Sequence, residues 1–192
     1  AADTTSVRRA QARIRTATWC SDADGGSRRD GAGTFIGFSE PGSSGPGVVS
    51  LFLSIEGGDG VGKSTQAALL MARLRAASVD ALLVHEPGGT EIGEEIRRLV
   101  KGDVPRSPMS ELFLFEAARA QLVQDVIRPA LDAGRVVVTD RYADSSIAYQ
   151  SFGRGVDIAN VRALNQAATA GLTPDATILL DISPERALSR VN

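Results

Sequence analysis

Eight residues, GGDGVGKS at 57–64, separate two segments of opposite character. Before them, VVSLFLSIE is apolar and β-branched and reads as a buried strand over 49–55. After them, Ala67, Leu70, Met71 and Leu74 recur at spacings of three and four, so residues 63–77 read as an amphipathic helix. A glycine-rich loop between a strand and a helix commits the chain to a strand–loop–helix unit, and the alternation continues downstream. DALLVH (80–85) reads as a strand, EPGGT as a loop, and Glu91 to Val100 as a helix. A longer helix runs from Ser110 to Leu131, with Pro129 bending or ending its last turn and Gly134 as a C-terminal cap. RVVVTD (135–140) is the third strand, followed by a polar loop and a helix around 157–170. DATILLDI (175–182) is the fourth, leading to a helix capped by Ser183 with Pro184 at its first position. Strict alternation of this kind predicts an α/β fold with a mainly parallel sheet and helices on both faces.

The loop also carries chemistry. Only two of the 21 basic residues are lysines, Lys63 and Lys101, so a lysine kept inside the loop against an arginine-rich background is informative. Residues 57–64 match GxxxxGKS in the strand-to-helix context that a phosphate loop requires. Backbone N–H groups of such a loop turn inward around phosphate oxygens, and the helix start adds its positive dipole end. Lys63 then serves as a point charge on the outer phosphates and the Ser64 hydroxyl as a magnesium ligand. The ATP-binding set is Gly57, Gly58, Asp59, Gly60, Val61, Gly62, Lys63, Ser64 and Thr65. A guanine-reading NKxD element and a transporter-type LSGGQ signature are both missing, which points to a small kinase.

Composition narrows the class further. A chain of 192 residues with 43% hydrophobic content builds one core of ordinary domain size. A net charge of −2 argues against a broad nucleic-acid-binding face, and no apolar stretch approaches the roughly 20 residues of a membrane helix. The single cysteine, Cys20, fits a reducing compartment, so a soluble cytoplasmic protein is expected. Residues 1–48, rich in Gly, Ser and Thr and without a sustained apolar period, read as a disordered N-terminal extension ahead of a domain at 49–192.

Four segments in order, EGGDGVGKSTQ, EPGGTEIGEEIR, ELFLFEAARA and DRYADSSIAYQ, resemble the thymidylate (dTMP) kinases, and the likeness runs from about Leu51 to the C-terminus. The resemblance implies a P-loop NTPase fold of the nucleoside monophosphate kinase type. It implies transfer of the γ-phosphoryl of ATP to dTMP, giving dTDP and ADP, with Mg2+ as cofactor. The alternatives are another nucleotide or deoxynucleoside kinase of the P-loop class, or a non-catalytic nucleotide-binding fragment. Catalytic roles fall on Lys63, Asp140 and Arg141, with Ser64 and Asp140 at the metal and Arg141 on the acceptor phosphate. Asp59 would accept from the 3′-hydroxyl of the deoxyribose. Phe115 and Arg119 lie one helical turn apart and can face one pocket. In similar enzymes the ring stacks on thymine and the guanidinium donates to its O4. Ser146 and Gln150 match positions that bond the base, and Tyr149 one that packs against the sugar. Arg97 matches a residue near the substrate phosphate, with a solvated helix arginine as the other reading. Phe113 reads as core, His85 carries no catalytic role where the family usually has Arg, and Glu86 has a supporting one.

Relatives draw a further arginine either from the loop, where this chain has Gly60, or from a lid after the fourth strand. The resemblance therefore implies that the last strand and the lid are absent before Asn192, and that the chain as it stands is poorly active, with Arg154 the first in-chain substitute. A homodimer formed through the long helices is also implied.

Overall fold

A computed structural model describes residues 50–190; the extension expected over 1–48 lies outside them. Four parallel strands, β1 (Leu51–Glu56), β2 (Ala81–His85), β3 (Val136–Asp140) and β4 (Ala176–Leu179), lie in the order β2-β3-β1-β4. Helices α1 (Lys63–Ala76), α2 (Glu91–Lys101), α3 (Pro108–Leu122), α4 (Arg128–Asp132), α5 (Ala143–Ser146), α6 (Ile158–Thr169) and α7 (Pro184–Leu188) connect them.

Side-chain alternation along β1 and β3 sorts the core into two layers. Phe52 and Val137 face one side, packing with Leu122, Val123, Ile127 and Ala130 from the α3–α4 region. Ile55, Val136 and Val138 face the other, where Ala67, Leu70, Met71 and Leu74 of α1 cover them. Helices thus lie on both faces, and the apolar stripe of α1 is the one its spacing predicts. β3 is buried from Val136 to Thr139, as an interior parallel strand must be. β4 is the less protected partner, with Ile178 and Leu179 exposed.

Several local expectations need correction. The long helix is not uniform: α3 starts two residues earlier, where Ser107 Oγ accepts from the N–H of Ser110, and a π-helical turn, Val123–Ile127, joins it to α4. Pro129, placed early in α4, follows that turn instead of ending the helix. The polar loop expected after β3 is helical, α5 passing into a second π-helical turn, Ile147–Gly153. Phe113 is not core but 54% exposed, because it sits on the outer side of α3 while Leu112 and Glu116 point in. Ser183 occupies the N-cap position of α7, yet its side chain makes no cap hydrogen bond.

Register then decides where chemistry can occur. Ile55 and His85 both pair with Asp140, so β2 and β3 end level and β1 runs one residue further. The loops that leave them open on one edge of the sheet, at the β1/β3 boundary where the strand order reverses, which is where α/β sheets bind ligands.

Candidate active site

At that edge a cavity of about 680 Å3 collects the loop, the turn after β3, and parts of α2 and α3. Of the expected residues, Asp59, Gly60, Gly62, Lys63, Ser64, Thr65, Arg97, Phe115, Arg119, Asp140, Arg141, Ser146, Tyr149 and Gln150 line it. Gly57, Gly58 and Val61 belong to the loop but do not line the cavity. Gly57 has φ +145°, and a Cβ there would lie 2.5 Å from the Leu180 carbonyl oxygen, so only glycine lets the loop leave β1 so close to the end of β4.

Lys63, the first residue of α1, is buried and donates from Nζ to the Gly58 carbonyl at 2.7 Å, arching back over its own loop. Burial, and then the nearby Arg141 charge, hold its pKa below the usual lysine value. Beside it Ser64 Oγ donates to Asp140 Oδ2 at 2.7 Å. A hydroxyl and a carboxylate this close are hard oxygen donors, a set that suits magnesium, which takes few protein ligands and completes its shell with phosphate and water.

Across the cavity Arg141 stands in the left-handed region at φ 76°, which is uncommon for a side chain of its size. Hydrogen bonds hold it there. Its N–H donates to the Ile55 carbonyl at 3.0 Å, and the following Tyr142 N–H donates to Glu56 Oε1 at 2.7 Å. Glu56 Oε2 accepts from Ser145 Oγ at 2.6 Å. Burial raises the Glu56 pKa above the usual carboxylate value, against these bonds. The guanidinium reaches Asp59 at 2.5 Å and the Tyr149 hydroxyl at 3.1 Å, and lies 4.9 Å from the Tyr149 ring centre. Asp59, a loop acid, thus turns toward the β3 side of the cavity.

Deeper in, Arg119 is 1% exposed and is the centre of a polar network. Nε donates to Glu86 Oε2 and Nη1 to Glu116 Oε1, both at 2.7 Å; Nη1 also reaches Asn165 Oδ1 at 2.5 Å and Ser146 Oγ at 3.0 Å. Burial alone would lower its pKa, but the charges of Glu86 and Glu116 outweigh that and raise it. Burial pushes Glu86 up to about 7 despite the Arg119 charge. Glu86 therefore orients the arginine expected at the base. Arg97 donates from Nη1 to the Pro87 carbonyl at 2.8 Å and still lines the cavity.

Lys101, Ser145 and Arg190 also line the wall, although the sequence reading gave them no place in the site. The signal for Lys101 was its rarity, since both lysines of the chain meet in one cavity. For Arg190 no local motif existed; α7 carries it back to the site. Arg154 is not in the wall: it pairs with Glu111 at 3.0 Å.

Lys63 and Ser64 can take one anion and Arg141 another across the same space, so the cavity suits transfer between two phosphorylated ligands, as in a phosphate-loop nucleotide kinase. The family model for thymidylate kinase matches residues 55–192. Thymidylate kinase of Synechococcus sp. is 51% identical over 140 residues, covering 73% of this chain and 68% of that protein. The enzyme of Dehalococcoides mccartyi is 47% identical over 144 residues, covering 74% and 70%. Among solved structures, the thymidylate kinase of Ehrlichia chaffeensis superposes with a TM-score of 0.67 at 35% identity, over 74% of this chain and 82% of that one. The chain belongs to the thymidylate kinase family.

Proposed function

We propose that this protein transfers the γ-phosphoryl group of ATP to dTMP, giving dTDP and ADP. The observation that carries the reading is the pairing, in one cavity, of the Lys63–Ser64–Asp140 group with the Arg141–Asp59–Tyr149 group. No covalent step falls to the protein. Loop amides and Lys63 hold the donor's outer phosphates, and Arg141 draws the acceptor phosphate in line by the forked contact a guanidinium makes well. Bringing two anions together is otherwise opposed by their repulsion, which these cations offset. Ser64 and Asp140 would hold Mg2+, which supplies further positive charge at the phosphates.

Phe115 is the stacking surface for the base, Arg119 and Ser146 lie at its polar edge with Gln150, and Tyr149 and Asp59 lie beside the sugar. Arg97 stands near the acceptor phosphate. A cytoplasmic homodimer completes the reading, supported by apolar side chains left exposed on the adjacent helices α2 (Ile92, Leu99) and α3 (Phe113). Among the described residues no helix is long and apolar enough to cross a membrane.

The test is a coupled ADP-release assay on the 192-residue chain with MgATP and each nucleoside monophosphate in turn. Release that depends on dTMP, and far exceeds that with dCMP or purine monophosphates, is expected. Release independent of any acceptor would overturn the proposal.

A further inference from the structure

Gln150 is 3% exposed and lines the cavity, but its amide nitrogen is turned away, donating to Glu111 Oε1 at 3.1 Å. Glu111 is not part of the cavity wall; it is buried at the start of α3, at 6% exposure. Its carboxylate is held from three further directions, by Arg154 Nε at 3.3 Å and Nη2 at 3.0 Å and by Arg106 Nε at 3.4 Å. Burial works against the charge, and the bonds from Gln150 and the arginines more than compensate, so its pKa falls below the usual carboxylate value. An ionised carboxylate accepts and never donates. Whatever amide lies against it must present NH2, so the orientation of Gln150 is fixed by its neighbour's charge. The remaining atom, Gln150 Oε1, has no protein donor among the described residues. Nor is it among the enclosed unpartnered atoms, which are Glu86 Oε1 and Glu116 Oε2, so it opens to the cavity.

We infer that Glu111 is a positioning residue for base selection: by taking the Gln150 amide nitrogen, it leaves only an acceptor facing the bound pyrimidine. The inference rests on the kinase reading above and adds a chemical sign to it. A keto pyrimidine, thymine or uracil, offers an N3–H donor to that oxygen. Cytosine offers a bare ring nitrogen, and two acceptors then face each other unpaired, a mismatch that a polar site rejects strongly. With Glu111→Gln the neighbour can either donate or accept, and the Gln150 amide is free to invert.

The experiment compares kcat/KM for dTMP and dCMP, with MgATP as donor, in the wild-type chain, Glu111→Gln and Arg154→Ala. Releasing the amide is expected to lower the dTMP:dCMP ratio by about tenfold or more while leaving KM for ATP within about twofold. Arg154→Ala removes an ion pair of the same carboxylate but keeps the Glu111–Gln150 bond, so it should leave the ratio unchanged. A ratio unmoved in Glu111→Gln, or lowered equally in Arg154→Ala, overturns the inference while the kinase reading stands. A wild-type chain that acts on neither nucleotide overturns both. If Glu111→Gln does not fold, nuclear Overhauser contacts in the dTMP-bound wild-type chain decide. Gln150 amide protons close to the Glu111 side chain uphold the inference, and amide protons close to the base overturn it.

Discussion

Lys63 reaches back to the Gly58 carbonyl in a space that leaves it 7% exposed, and that space explains why the side chain is an ammonium. A guanidinium is planar, broader, and carries five donors in a fixed fork, which the inner side of a tight loop cannot match. Lys63→Ala should lower turnover with dTMP by at least about a hundredfold, because a charge-assisted contact to the transferring phosphate is lost. Lys63→Arg should not restore it; near-normal turnover of the arginine variant, in a coupled assay at matched folded concentration, would refute this account. At this scale the sequence was most legible where one short motif carries several contacts, as in the loop and DRYADSSIAYQ. Glu111 could not be read that way. Its role depends on Gln150, 39 residues later, and on two arginines that come from different segments.

Among the elements, β1 shows what periodicity leaves out. Its apolar run suggested an end at Ile55, yet the ladder continues to Glu56, a buried carboxylate bonded to Tyr142 N–H and Ser145 Oγ. A strand-end acid normally reads as solvated; here it ties the strand that launches the loop to the turn that carries Arg141. Glu56→Ala would leave the buried Tyr142 N–H unpaired, which should destabilise the fold by about 1–3 kcal/mol in urea unfolding. KM for dTMP should rise more than KM for ATP, because Arg141 loses the support of its strained backbone; an equal rise in both would argue against that role. The two π-helical turns were likewise invisible, since a five-residue hydrogen-bond step in an otherwise helical pattern leaves no distinct spacing in the apolar residues. α1 and β3 were readable for the opposite reason, each being covered on the faces its pattern assigns.

For the whole molecule, the placing of helices on both faces followed from strand–helix alternation, whereas the register of the strand ends and the return of α7 to the cavity needed the completed fold. Global stability should carry the signature of Glu86. Its folded-state pKa is about 7 against an ordinary 4.5, raised chiefly by burial. A raised pKa means the native state binds the proton more tightly, so this contribution is fully present below about 4.5 and is lost as pH rises through about 7. Urea unfolding between pH 5 and 8 should therefore show a falling contribution in the wild-type chain that Glu86→Gln lacks. Parallel pH profiles for the two proteins would show that Glu86 titrates normally.

The shared register of β1, β2 and β3 has a consequence for how such a chain can change in length. The alternation that divides Val137 from Val136 and Val138 also sets Asp140 beside Ser64. One residue inserted within β3 would exchange the two layers and shift the carboxylate away from the loop in the same event. Folding and chemistry are thus lost together there, with no intermediate sequence that keeps one of them. Added or removed residues should be tolerated instead in connections such as residues 102–105, which are exposed and where a change of length alters neither layer.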